Sequence, residues 1–342
     1  DQFVGGETLE QTTAIANKLE KFDVQIILDY GVEGKEGEGN FEYACQQFIK
    51  VIDYACTQKG IPFMSIKITG IARFNLLEKM HTAMSEVNGS LKDKYFNAIK
   101  NLTGNEQEEW QRVVERLRKI VAEGFRKNIG VLIDAEESWI QDPIDAMVML
   151  MMKEFNQNKA IVFNTIQLYR HDRLQFLKDS LEASNNEKFI LGVKLVRGAY
   201  MEKERKRAEL VNYPSPIQIN KENSDKDFNE AVSFCINNLN NISVIIASHN
   251  EHSNFLATQL LKEKGLPFNH PNVHFSQLYG MSDNITFNLA KEGCRVSKYL
   301  PFGPIKDVVP YLMRRAQENS SISGQTGREL SLILKEKQRR RI

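Results

Sequence analysis

Eight short runs rich in β-branched and apolar residues recur along this chain, at residues 24–29, 63–69, 129–134, 160–167, 189–197, 243–249, 272–277 and 295–299. Between them the apolar residues fall at helical spacing. Trp110, Val113, Val114, Leu117, Ile120 and Val121 share one face, as do Phe228, Val232 and Ile236. Strands that alternate with helices run parallel, because the crossover helix returns the chain to the same end of the sheet. Eight such strands can close into a (βα)8 barrel of the TIM type. A doubly wound open sheet is the alternative.

The chain has 342 residues, enough for two domains or for one large α/β barrel. The expectation is a single barrel domain over residues 1–342, since no low-complexity linker or domain boundary interrupts it. Residues 1–22 read as an extra N-terminal helix before the first strand. Residues 75–128 read as a helical insertion between strands two and three, and residues 329–342 as a basic tail.

Composition removes several function classes. The net charge of +1 supplies no bulk field to attract nucleic acid. Cys45, Cys56, Cys235 and Cys294 are far apart and form no CxxC pair, which reads as reduced thiols and not as a disulfide frame or zinc site. The longest strongly apolar run, residues 146–152, is too short to span a bilayer. The opening residues do not read as a signal peptide. The start at Asp1, without methionine, leaves room for a targeting segment upstream.

In a parallel barrel, chemistry gathers where strands end and loops begin. Here those ends are polar: Lys67, Asp134, Gln167, Lys194 with Arg197, Ser248-His249-Asn250, Gln277 and Tyr299. One polar strand end means little, since Asp134, Ser248 or Asn250 could each simply cap a helix. Seven of eight together imply a lined pocket. Lys67 and Lys194 lie inside apolar strands, where an unpaired charge costs several kcal/mol. Both therefore read as functional.

After the last strand, Tyr311, Arg314, Arg315 and Glu318 fall at i, i+3, i+4 and i+7 and share one helix face. An arginine pair with a glutamate one turn on suits a carboxylate or phosphate clamp, because each guanidinium fork grips two oxygens. The plain alternative is a solvated charged face.

Other signals weigh less. The glycines Gly31, Gly34, Gly37 and Gly39 follow the first strand but lack dinucleotide-loop spacing, and the interleaved glutamates would repel phosphate, so a lid loop is the better reading. His249 and His252 are spaced for a metal, but no further ligand cluster accompanies them. Two lysines in barrel strands also admit Schiff-base lyase chemistry.

Four motifs occur in order over nearly the whole chain: Asp134-Ala-Glu-Glu137, Val193-Lys-Leu-Val-Arg-Gly-Ala-Tyr200, Ala247-Ser-His-Asn250 and Tyr311-Leu-Met-Arg-Arg-Ala-Gln-Glu-Asn319. Together they resemble the proline dehydrogenase family, including the corresponding domain of bifunctional proline utilisation proteins. The resemblance implies a distorted (βα)8 barrel with FAD over the C-terminal strand ends. It implies oxidation of L-proline to Δ1-pyrroline-5-carboxylate, with electrons passed to a membrane quinone. From the charge balance and the lack of a ligand cluster, no nucleic acid and no metal are expected. The expected place is the periphery of the inner membrane, on the bacterial cytoplasmic face or in mitochondria.

Carried over residue by residue, Lys67, Arg314 and Arg315 would grip the substrate carboxylate. Tyr200, Tyr299, Tyr311 and Leu195 would pack around its ring, and Asp134 would support the pocket. Gln167, Lys194, Arg197, Gly198, Ser248, His249, Asn250, Gln277 and Glu318 match flavin-contact positions. Glu33 matches a gate glutamate. The chain departs from the bifunctional pattern at Lys194 and Arg197, where those proteins usually carry Arg and Lys: both positive charges are kept and the residue types are exchanged. Hydroxyproline is the neighbouring substrate; relatives selective for it carry a smaller residue at the position of Tyr299.

Overall fold

The computed structural model describes residues 2–31, 35–309, 311–313 and 325–340, without the side chains of 325–329 and 332. Eight parallel strands close a barrel in sequence order: β1 (Val24–Tyr30), β2 (Phe63–Ile66), β3 (Gly130–Ile133), β4 (Val162–Gln167), β5 (Leu191–Val196), β6 (Ile242–Ala247), β7 (Val273–Leu278) and β8 (Val296–Phe302). Closure is made by β1 against β8, from Val24 opposite Val296 to Tyr30 opposite Phe302. All eight predicted runs are strands, and the open-sheet alternative is set aside.

Strand side chains alternate faces, so one residue per strand fixes the rest. Ile27, Leu132, Phe163, Ile245 and Tyr299 form a buried cluster inside the barrel, with Phe63 and Leu278 against it. The Phe63 and Phe163 rings meet edge to face at 5.7 Å. Glycines make room for them. A Cβ on Gly130 would sit 2.4 Å from the Phe63 ring, and one on Gly192 would sit 2.2 Å from the Val162 carbonyl oxygen. The opposite strand faces hold Val131, Ile133, Val193, Leu195, Ile246 and Leu300 in the larger core beneath the helices. Burying each such side chain contributes about 1.5–3 kcal/mol.

The helices are α1 (Leu9–Glu20), α2 (Glu38–Ala55), α3 (Phe74–Ser85), α4 (Leu91–Lys100), α5 (Gly104–Lys127), α6 (Ser138–Phe155), α7 (Arg173–Glu187), α8 (Met201–Val211), α9 (Lys221–Asn237), α10 (Glu251–Glu263), α11 (Asp283–Lys291) and α12 (Gln325–Arg340). The insertion expected over 75–128 consists of α3, α4 and α5. Helix α5 starts at a capping box between Thr103 and Glu106 and stops where Asn128 turns left-handed, at φ 61°. Its buried face includes Trp110, Val113, Leu117, Ile120 and Val121, and Trp110 donates to the Tyr95 hydroxyl at 3.0 Å.

Two strand boundaries differ from expectation by three residues. The second run stops at Ile66, and Ile68–Gly70 is a 3-10 turn, because Thr69 turns to donate to Glu136 from both its N–H and its hydroxyl. The last strand runs past Tyr299 to Phe302, where the N-terminal segment extends the pairing. Gly5 N donates to Pro301 O at 2.7 Å, and Gly303 N to Gly6 O at 3.0 Å. The basic residues expected as a tail belong to α12 over its described length.

Candidate active site

The strand parity that puts Ile27, Phe63, Leu132, Phe163 and Tyr299 inside the barrel also turns Asp29, Lys67, Asp134, Gln167 and Lys194 toward its C-terminal mouth. Asp134 is the hub. Its Oδ1 faces the Lys194 ammonium and accepts from Ser65 Oγ at 2.5 Å. Its Oδ2 accepts from the Tyr299 hydroxyl at 2.7 Å and lies 3.5 Å from Lys67 Nζ. Residues from β2, β3, β5 and β8 thus meet at one carboxylate.

The electrostatics follow from that packing. Burial alone would raise the Asp134 carboxyl. The Lys194 and Lys67 charges, with hydrogen bonds from Lys194 and Ser65, outweigh burial and hold it below the usual carboxylate range. Tyr299 moves the other way. Burial first, then the Asp134 and Asp29 charges, pushes its hydroxyl well above its ordinary value, so it stays a donor. The Lys194 ammonium also lies 5.4 Å from the Tyr299 ring centroid, over its negative face.

Beside the hub, Glu136 is buried and raised to about 8, first by desolvation and then by the Glu137 charge, against hydrogen bonds from Thr69. Its backbone is fixed as well: the N–H donates to Gln141 Oε1 and the carbonyl accepts from Gln167 Nε2, both at 2.8 Å. The loop after β3 is tied onward to α8, since Ser138 donates to Glu204 from both N–H and hydroxyl at 2.7 Å. Asp134 therefore projects from a loop held at several points.

Lys194 and Arg197 have separate places. Lys194 points into the mouth. Arg197, beyond the strand end, donates to Asp225 on α9 at 2.7 Å and to Ser248 and Ser253 at 2.8 and 3.0 Å, with its guanidinium over the Phe228 ring. Gly198 next to it has φ +139°, and a Cβ there would sit 2.4 Å from the Tyr169 ring. Only glycine lets the chain turn there against Tyr169.

At the far rim, His249 Nε2 accepts from Leu278 N at 3.4 Å, and its Nδ1 lies 2.9 Å from Ser282 Oγ. Asn250 caps α10 through Ser253 N. Ser248 Oγ accepts from Asn250 N at 3.1 Å as well as from Arg197. Gln277 faces outward, where Nε2 donates to Ser248 O at 3.2 Å and Oε1 accepts from Thr286 at 2.8 Å. It joins α11 to the end of β6. Among the described residues, no group of three or more His, Cys, Asp or Glu is arranged to hold a metal.

The structure therefore gathers Lys67, Asp134, Gln167, Lys194 and Tyr299 at the mouth. Tyr200 stands at the N-terminus of α8, and Tyr311 is buried. Leu195 is not brought to the mouth. It lies on the strand face opposite Lys194, fully buried in the core beneath the helices. Glu33, Arg314, Arg315 and Glu318 lie outside the described residues. Three mouth residues were missed as site members: Asp29, Ser65 and Glu136. Period-two alternation, counted back from Lys67 to Ser65 and forward from Ile27 to Asp29, was the signal that could have found the first two.

The sequence profile of the proline dehydrogenase family matches residues 12–328. Proline dehydrogenase 1, mitochondrial, of Dictyostelium discoideum is 33% identical over 99% of this chain and 64% of that protein. Hydroxyproline dehydrogenase of Xenopus laevis is 30% identical over 99% of this chain and 77% of that protein. A crystal structure of proline utilization A from Bdellovibrio bacteriovorus, inactivated by N-propargylglycine, has a TM-score of 0.80 at 21% identity, covering 95% of this chain and 33% of that one. The chain thus spans less than two thirds of the Dictyostelium relative and a third of the bacterial one. On its sequence from residue 12 to 328 and its closed eight-stranded barrel, the chain belongs to the proline dehydrogenase family.

Proposed function

We propose that the protein oxidises L-proline to Δ1-pyrroline-5-carboxylate with FAD and passes the electrons to a membrane quinone, peripherally at the inner membrane. The observation that carries this reading is the Asp134 hub. It sets two ammonium groups and a tyrosine at the mouth of the barrel, where an amino-acid carboxylate would find cations already in place.

The donor set fits a flavin. Gln167 and Lys194 offer an amide and a cation inside the mouth, suited to the electron-rich edge of an isoalloxazine ring. Arg197 and His249 lie at the strand ends beyond it, where a cofactor's more polar parts would extend. When bound there, FAD supplies a two-electron hydride acceptor. Everything else falls to side chains. Lys67 grips the substrate carboxylate, with Arg314 and Arg315 as its partners in the clamp. Its ammonium lies 3.5 Å from Asp134, at the same mouth of the barrel. Tyr299, its ring fixed by Asp134, packs with Tyr200 and Tyr311 against the pyrrolidine ring and keeps water away. The substrate amine loses its proton to water before the hydride departs.

The test is direct. The purified protein should be yellow, and proline added without oxygen should bleach it. A yellow protein that proline leaves unbleached sinks the reading. A colourless protein that borohydride traps on a carbonyl substrate would instead support a Schiff-base lyase. That outcome is disfavoured because both lysine Nζ atoms are directed at Asp134. Hydroxyproline is the second substrate reading, suggested by the Xenopus relative. Tyr299, bulky and bonded to Asp134, favours proline.

A further inference from the structure

We propose that helix α12 is a lipid-contacting element that lies on an anionic bilayer surface. Leu330, Ile333 and Leu334 are 57%, 64% and 50% exposed. At i, i+3 and i+4 they share one face of the helix. An apolar stripe of this kind in water needs a cover. Charge identifies the cover. Residues 335–341 hold five basic side chains and one acidic one: Lys335, Lys337, Arg339, Arg340 and Arg341 against Glu336. Glu336 is itself occupied by Arg339 and Arg340, each at 2.7 Å. The surplus positive charge beside the stripe matches a surface of negative headgroups over hydrocarbon.

A second copy of the chain is a poorer occupant. A parallel two-fold pairing of two such stripes would bring one basic cluster against another. Spanning is also excluded for this element, since no helix among the described residues is long and apolar enough to cross a membrane. The helix therefore lies on the surface, with its leucines and isoleucine at the headgroup boundary. The proposal rests on the quinone-linked reading for its purpose, because a quinone acceptor is reached at a membrane. Its physical case rests on α12 alone.

The experiment uses the whole chain with two vesicle types, phosphatidylcholine alone and phosphatidylcholine mixed with phosphatidylglycerol. Co-sedimentation is measured at low and high salt. The wild type should bind the anionic vesicles, bind neutral ones far less, and come off as salt rises. Replacing Leu330, Ile333 and Leu334 together by Ser should weaken binding at least tenfold. Lys335→Glu with Lys337→Glu should weaken it further, at about fivefold for each positive charge lost. These positions are exposed, so proline oxidation with a soluble dye acceptor should be unchanged in every variant. Absence of wild-type binding overturns the proposal. So does binding that the α12 variants leave intact, or a wild-type dimer that the serine variant dissolves. Loss of dye-linked oxidation in the wild type would instead indict the proposed reaction, which keeps the two failures apart.

Discussion

Tyr299 on β8 donates its hydroxyl to Asp134 at 2.7 Å, reaching across the barrel to a residue 165 positions earlier that follows β3. The same carboxylate holds Lys194 and Ser65 through its other oxygen. One acid thus sets the position of a ring wall and of two cations at once. Several predictions about the mouth depend on that arrangement.

Asp134→Asn keeps the shape of the hub and removes its charge. Lys194 is left buried with no carboxylate partner, an arrangement that typically costs about 3–5 kcal/mol. The expected result is a clear fall in melting temperature together with loss of proline oxidation. A variant with wild-type stability and kinetics would show that the hub is ornamental.

Tyr299→Phe removes only the hydrogen bond to a charged acceptor, worth about 1.5–3 kcal/mol. Tyr299→Ser removes the ring as well. The serine variant should shift the ratio of kcat/KM for hydroxyproline over proline upward by roughly tenfold or more, on the scale of pocket discrimination. Steady-state kinetics with both substrates decides it. An unchanged ratio would mean that Tyr299 does not face the substrate ring.

Arg315→Met should raise the proline KM by orders of magnitude and leave bound flavin in place, as judged by the visible spectrum. Loss of colour instead would assign Arg315 to the cofactor. Unchanged kinetics would refute the clamp.

The pH dependence of stability has two opposed limbs. His274 lies inside the barrel, bonded to Ser297 at 2.6 Å, and burial lowers it from 6.5 to about 3. The unfolded chain therefore binds the extra proton first, and stability from this group is lost as pH falls below 6.5 toward 3. Glu136 is raised from 4.5 to about 8, so the folded chain holds a proton that the unfolded chain has released. Its contribution is complete below 4.5 and declines as pH rises toward 8. Thermal melts across this range should show Glu136→Gln flattening the alkaline limb and His274→Gln the acid limb. Limbs that persist in both variants belong to other groups.

Much of the mouth was legible before folding. Lys67 and Lys194 betrayed themselves as charges in apolar strands, and Asp134 and Tyr299 as polar strand ends. Asp29 and Ser65 escaped because their side chains look ordinary in sequence, as a turn acid and a strand serine. Glu136 escaped because its interest comes from burial, which removes water from a carboxyl that the sequence shows beside another acid. Gln277 carried the right chemistry for a pocket, yet its side chain faces outward, where its amide joins α11 to the end of β6.

The alternation of eight strands with helices, and the polar character of the strand ends, were already written in the residue order. These are local properties, set by side-chain branching and by the periods of strand and helix. Which way each side chain faces was settled by folding. Lys194 and Leu195 are neighbours in the chain, and a shift of one residue would exchange them. Barrel closure and the register of β5 against β4 and β6 put the lysine inside and the leucine outside. That choice is settled by packing the whole core, since only one register buries Leu195 among the helices and gives the Lys194 charge a carboxylate.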